Sequence, residues 1–157
     1  MQPGENFITL LEGFEGFRKC PYIDIAGHCT IGLGSTYYPS GVNVTMRDTC
    51  ITHEQAVTMV MFEISQDVIL INSVVKSTIN QNMFDSLCSF IYNEGKEAFK
   101  ESTLLRRINF NPIDPTIKDA FMQWVYIHDP KTGLPIKSKT LINRRTQEAK
   151  LYFTPIV

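Results

Sequence analysis

The sequence predicts an α+β fold, mostly α, with a small N-terminal β-hairpin, a long connecting helix and a helical C-terminal lobe. Three observations carry this expectation. Glycines 27, 32 and 34 and the β-formers Tyr22, Ile23, Thr30, Ile31, Tyr37 and Tyr38 gather between Phe17 and Tyr38. From Thr52 onwards a proline-free stretch repeats apolar residues at helical spacing. Beyond it, capping residues recur ahead of further apolar stripes.

A first short helix is expected over about residues 5–12, with Phe7, Ile8, Leu10 and Leu11 as its apolar side. The β element follows as a hairpin or three-stranded sheet, turning at Ala26-Gly27. Pro39-Ser40-Gly41 marks another turn, and Val42-Asn43-Val44 adds a short strand. Thr52-His53-Glu54-Gln55 fits a capping box, in which Thr and Gln each satisfy one free backbone N–H. The helix it opens aligns Val57, Val60, Met61, Ile64, Val68 and Ile71, and its near-20-residue reach makes it the spine between two lobes. Asn80 caps a helix bearing Phe84, Leu87, Cys88 and Ile91, which stops in a left-handed turn at Gly95. Ser102 caps a short helix through Leu105. Asp114-Pro115 opens another, with Ile117, Ala120, Phe121 and Trp124 on one face. Lys131-Thr132-Gly133 reads as a loop, and a last helix runs from about Ser138 to Phe153. A chain of 157 residues suits a single two-lobed domain, and the cleft between lobes is the natural ligand site.

Composition excludes disorder: 43% of residues are hydrophobic and 20% charged. The formal net charge of −1 is unevenly spread, with 4 basic against 10 acidic residues in positions 1–95 and 11 against 6 thereafter. A basic back half suits an anionic polymer, although two solvated faces would look the same. Nucleic-acid binding is disfavoured by the acidic front half and the lack of a recognised motif. The cysteines at 20, 29, 50 and 88 include no C-x-x-C pair, and with three scattered histidines they predict no metal site. The N-terminal residues lack the positive region of a signal peptide, and no apolar run approaches the ~18 residues of a membrane span. The expectation is a soluble protein made in a reducing cytoplasm, its thiols free.

Candidate chemistry lies in the stretch from Glu15 to Gly34. Glu15 ends the first helix, Asp24 ends the first strand, and Thr30 stands on the return strand. Cleaving a glycosidic bond takes two carboxyl roles: one protonates the leaving oxygen, the other activates water or attacks the sugar. Glu15, desolvated in a cleft, suits the acid; Asp24, more exposed and ionised, suits the base; Thr30 can hold the water. Two carboxylates and a threonine are common in any stretch of this length, so the residues alone do not decide.

The flanking motifs do. Glu15-Gly16-Phe17-Arg18, then Tyr22-Ile23-Asp24, then Gly27-His28-Cys29-Thr30-Ile31-Gly32-Leu33-Gly34 resemble the E-G-x-R and G-x-x-T-I-G-x-G segments of the phage-type lysozymes, glycoside hydrolase family 24. The spacing Glu-x8-Asp-x5-Thr is that of the family's catalytic residues. Residues 82–95, Ser102-Thr103-Leu104-Leu105, and Gly133-Leu134 followed by Asn143-Arg144-Arg145, Glu148 and Leu151-Tyr152 extend the resemblance from about residue 5 to 153.

The resemblance implies a lysozyme-like fold and a muramidase of the endolysin type. Such an enzyme hydrolyses the β-1,4 bond between N-acetylmuramic acid and N-acetylglucosamine of bacterial peptidoglycan, with inversion, for host cell lysis. It implies Glu15, Asp24 and Thr30 as catalytic residues, Thr36, Tyr92 and Asn93 as substrate-binding residues, and Arg144 as a partner of the glutamate. It implies no cofactor, no nucleic-acid partner, no membrane insertion and a monomer. The enzyme would wait in the host bacterial cytoplasm until a holin gives access to the wall. Bland readings stand beside these: Tyr92 can end a core stripe, Asn93 can cap a helix, and Arg145 with nearby lysines can be a solvated face. Ser35 replaces the histidine common in relatives, and residues 37–49 form a longer loop than in the simplest members; both depart from the pattern. Two rivals differ in class. A lytic transglycosylase needs neither Asp24 nor Thr30, and an inactive wall-binding or virion protein usually loses a carboxyl that this chain keeps.

Overall fold

The computed structural model describes residues 1–156. Its elements run α1 (Glu5–Glu15), β1 (Arg18–Ile23), β2 (Cys29–Gly32), α2 (His53–Glu63), α3 (Ser65–Val74), α4 (Gln81–Glu94), α5 (Lys96–Glu101), α6 (Thr103–Phe110), α7 (Ile117–Met122), β3 (Tyr126–His128), β4 (Pro135–Lys137) and α8 (Lys139–Tyr152). The α+β expectation holds, with the two sheets both small antiparallel hairpins. The chain divides into two compact units, one of residues 8–66 and one of residues 1–7 with 67–157. No single helix among the described residues is long and apolar enough to cross a membrane.

In the unit of residues 8–66, β1 and β2 pair with Tyr22 opposite Thr30 and Ile23 opposite Cys29. A third strand does not form. Residues 35–44 contribute only isolated bridges, Ile31 to Ser35 and Tyr37 to Asn43. The core holds Leu11, Ile31, Leu33, Ala56 and Val60, each fully buried. β2 approaches α2 so closely at Gly32 that a β-carbon there would stand 2.8 Å from that of Ala56, and its φ of +67° also favours glycine. Thr52 and Gln55 complete the expected capping box on α2.

Two expectations fail here. The single spine helix is two helices, with Ile64 between them outside either; its N–H still donates to the Val60 carbonyl at 3.0 Å. Nor are all four thiols free. Cys20 and Cys50 form a disulfide, leaving Cys29 and Cys88 reduced. The two partners meet because the Ile51 N–H donates to the Lys19 carbonyl at 2.8 Å, laying residue 50 beside β1. Both cysteines are exposed, so a reductant can reach the bond in the folded protein. The bond closes a loop across a sequence separation of 30. Reducing it, or substituting Cys20→Ser, is expected to cost about 3–4 kcal/mol of stability. This should appear as a melting temperature lower by about 10 °C. Superimposable melts with and without reductant would contradict the bond's stabilising role.

The loop of residues 37–49 is organised around Asp48. Its carboxylate accepts from the Tyr38 hydroxyl at 2.9 Å, the Thr45 N–H at 2.8 Å and the Thr45 hydroxyl at 2.6 Å. The Thr45 hydroxyl, followed by its N–H and the Tyr38 hydroxyl, holds Asp48 below its ordinary value. Burial and then Asp48 push the Tyr38 phenol up to about 12.

In the other unit, α4 packs most extensively on α8. Phe90 is ringed by Phe99, Phe121 and Trp124, with centroids 5.6–6.1 Å away; Phe121 and Trp124 meet it edge-on, a geometry suited to ring quadrupoles, and Phe99 is tilted. The first residues are tied down on α4: the Gly4 N–H donates to Asp85 Oδ1 at 2.8 Å, and Asn6 donates to Asn82 Oδ1 at 2.8 Å. Asn80 and Ser102 cap α4 and α6 as expected, and Ser138, where the last helix was expected to begin, caps α8. The Ser102 helix runs on to Phe110 rather than ending at Leu105. Gly95 has the expected positive φ of +87°, but its ψ of 158° is extended rather than left-handed. The chain therefore turns directly into α5, a helix not anticipated. Residues 131–133 are the loop of the β3–β4 hairpin, also unforeseen, since all six of its strand residues are exposed and carry no alternating apolar pattern.

Candidate active site

Glu15 is the last residue of α1, and Asp24 follows β1 at the hairpin turn. Their side chains line one groove of about 430 Å³, together with Arg18, Tyr22, Ile23, Ile25 and Ala26. The backbone at Gly34 passes close by: a β-carbon there would lie 3.7 Å from Glu15 Oε2. The Arg18 guanidinium sits 4.5 Å from the Tyr22 ring centroid. Burial raises the Tyr22 phenol, Arg18 opposes it, and the Glu15 and Asp24 carboxylates add to the rise. One expectation is reversed. Glu15 is exposed and Asp24 only half-buried, so the free protein does not desolvate Glu15. That end of α1 is followed by Gly16, whose φ of +70° turns the chain away into β1.

Asp24 is held by its own turn. Its Oδ1 accepts the His28 N–H at 2.8 Å, and its N–H donates to the His28 carbonyl at 2.9 Å. The His28 main-chain bond, and behind it the His28 ring, hold the Asp24 carboxyl below its ordinary value. Thr30, only 2% exposed, donates its hydroxyl proton to the same His28 carbonyl at 3.1 Å. With the proton committed there, the Thr30 oxygen keeps lone pairs free to accept. The structure thus links Asp24 and Thr30 through one residue that sequence reasoning passed over; the only sequence signal was the Asp-x-x-x-His spacing across a glycine turn.

Thr36 lies in a neighbouring cavity of about 370 Å³ with Gly27, His28, Cys29, Asn43 and Val44. Ser35 is buried, with its N–H and C=O both paired to Ile31.

Tyr92, Asn93 and Arg144 belong to the other unit. Tyr92 is half-buried, its ring edge-on to Phe7 at 6.3 Å. Asn93 is exposed and accepts from Arg145. Arg144 is 7% exposed and reaches Glu148 Oε1 through its Nε at 3.4 Å. Arg145 is no solvated face: it is fully buried, 3.0 Å from Glu148 Oε2 and 3.4 Å from Glu94, with its guanidinium 4.9 Å from the Phe90 centroid. Glu148, also fully buried, takes the Ser89 hydroxyl at 2.7 Å. Burial pushes the Glu148 carboxyl up and the Arg145 guanidinium down, while their attraction opposes both shifts. The signal for this pair was in the sequence. Arg145, Glu148, Ala149 and Tyr152 stand at i, i+3, i+4 and i+7, one stripe of α8. Among the described residues no cluster of three or more His, Cys, Asp or Glu side chains is placed to hold a metal ion.

A family model described as phage lysozyme matches residues 12–148. The chain belongs to the phage lysozyme family. The endolysin of Salmonella phage P22 is 36% identical over 155 residues, covering 98% of this chain and 99% of that protein. The endolysin of Acyrthosiphon pisum secondary endosymbiont phage 1 is 33% identical over 154 residues, covering 97% and 98%. Among solved structures, an endolysin from Escherichia coli O157:H7 phage FAHEc1 superposes with a TM-score of 0.86 at 32% identity, covering 98% of this chain and 94% of that one. This phage lysozyme is therefore a glycoside hydrolase, a muramidase of the endolysin type acting on the host wall. The reading as an inert wall-binding protein finds no support among these relatives.

Proposed function

We propose that this lysozyme hydrolyses the β-1,4 bond between N-acetylmuramic acid and N-acetylglucosamine with inversion, Glu15 acting as acid and Asp24 as base. The observation that carries the reading is the shared groove of Glu15 and Asp24, with Thr30 tied to Asp24 through the His28 carbonyl. Glu15 protonates the glycosidic oxygen as the bond to the anomeric carbon breaks and positive charge develops on the sugar. A water donates one hydrogen to Thr30 Oγ and the other to Asp24. Its lone pair closes on the anomeric carbon from the opposite face as Asp24 takes the proton. Because Glu15 is exposed in the free protein, the bound glycan itself covers it and excludes water around the proton transfer. Thr36, Tyr92 and Asn93 as sugar contacts, and Arg144 as cationic support for the acid, complete the reading. So do a monomeric state and storage in the host cytoplasm until a holin opens the way to the wall.

Proton NMR of early digestion products tests the stereochemistry. New N-acetylmuramic acid reducing ends are expected to appear first as the α-anomer. Initial β-anomer would mean retention and remove the base role from Asp24, and 1,6-anhydro ends would replace hydrolysis by transglycosylation.

A further inference from the structure

A base at Asp24, half-buried in a five-residue turn, raises the question of what holds its carboxylate in one orientation. His28 answers it from three sides. Its N–H donates to Asp24 Oδ1 at 2.8 Å. Its carbonyl takes the Asp24 N–H at 2.9 Å and the Thr30 hydroxyl at 3.1 Å. Its ring Nδ1 stands 3.4 Å from Asp24 Oδ2, with the ring itself 67% exposed. The main-chain contacts are available to any residue at this position. The ring contact is not, and in the family pattern G-x-x-T this position is an unspecified x.

We propose that the His28 side chain is a positioning residue for hydrolysis, holding Asp24 Oδ2 and so orienting the carboxylate that draws the proton from the attacking water. The proposal rests on the role given to Asp24 above. When Nδ1 carries its proton, the ring places a donor 3.4 Å from Oδ2 and adds to the His28 main-chain bond that chiefly holds Asp24 below its ordinary value. Both oxygens are then fixed, and the carboxylate plane is set relative to Thr30 without the ring touching the sugar. The other titratable groups around the pair are Glu15 on α1, Arg18 and Tyr22 on β1, and Cys29 on β2. All of them are retained when only residue 28 is changed, so a difference between variants reports the ring.

The test compares wild type, His28→Ala, His28→Gln and Asp24→Asn by reducing-end release from purified peptidoglycan across pH, with thermal melts as the folding control. His28→Ala should melt like wild type, because its side chain is exposed. Its kcat should fall about tenfold with KM within about twofold, since the loss is orientation rather than binding. The acid limb of its kcat/KM profile should move up by about half a pH unit, a modest shift suited to an exposed pair. His28→Gln, which restores a neutral donor, should recover most of kcat while keeping part of that shift. If His28→Ala matches wild type in kcat and acid limb while Asp24→Asn is inactive, the positioning role is overturned and the base assignment stands. If His28→Ala loses activity only in step with a lower melting temperature, the acid limb unmoved, the ring is structural and the proposal also fails. Full activity in Asp24→Asn would overturn the base assignment and the proposal together.

Discussion

Glu15→Gln is expected to fold as the wild type does and to release reducing ends about a thousandfold more slowly. Positioned proton transfer supplies roughly 10²–10⁴-fold in rate, and an amide of the same shape cannot donate a proton to the leaving oxygen. The fold should not notice the change. Glu15 is exposed at the end of α1, and substitutions at such positions usually fall within about 0.5 kcal/mol of neutral. Circular dichroism and a thermal melt matching wild type, beside a collapsed rate, would assign the loss to chemistry. Retention of more than about a tenth of the activity would move the acid role away from Glu15, because water alone cannot replace a positioned acid so well.

Glu148→Ala should do the opposite, costing stability of about 3–5 kcal/mol. For a chain of this size that corresponds to a melting temperature lower by about 10 °C or more. Glu148 is fully buried between Arg144 and Arg145, at 3.4 Å and 3.0 Å, and Arg145 is fully buried with it. Removing the carboxylate takes the buried counter-charge from Arg145 and one contact from Arg144, in a site already expensive for charge, and deprives the Ser89 hydroxyl of its acceptor at 2.7 Å. Arg145 would keep Glu94 at 3.4 Å, the Asn93 side-chain oxygen and the Phe90 face 4.9 Å from its guanidinium carbon, none of which replaces a fully buried counter-charge. Glu148→Gln, which keeps an acceptor for Ser89 but loses the charge, should fall between alanine and wild type. A chemical denaturation series would rank the three. Equal stability of Glu148→Ala and wild type would mean that the two arginines find water on relaxation.

The sequence alone determined whatever depends on neighbours along the chain. The caps at Thr52, Asn80 and Ser102 were legible because an N-cap and the N–H it satisfies are separated by two or three residues. The β1–β2 hairpin was legible because its turn glycine and its β-formers are local. Glu15, Asp24 and Thr30 could be singled out only because the motifs flanking them resemble those of the phage-type lysozymes; two carboxylates and a threonine in one short stretch did not decide. Tertiary structure decided what depends on distant segments meeting. Cys20 finds Cys50 only because the main chain at Ile51 pairs with Lys19; no spacing rule selects that pair from four cysteines. The break at Ile64 interrupts an apolar period that continues through Val68 and Ile71, so the pattern cannot reveal where a backbone bends. Glu15 is exposed and Asp24 half-buried because burial is set by what packs on a residue, which one chain segment does not record. Arg145 lies buried against Glu148 because a charge on the inward stripe of a helix is tolerated only when folding brings its counter-charge and hydrogen-bond partners to it.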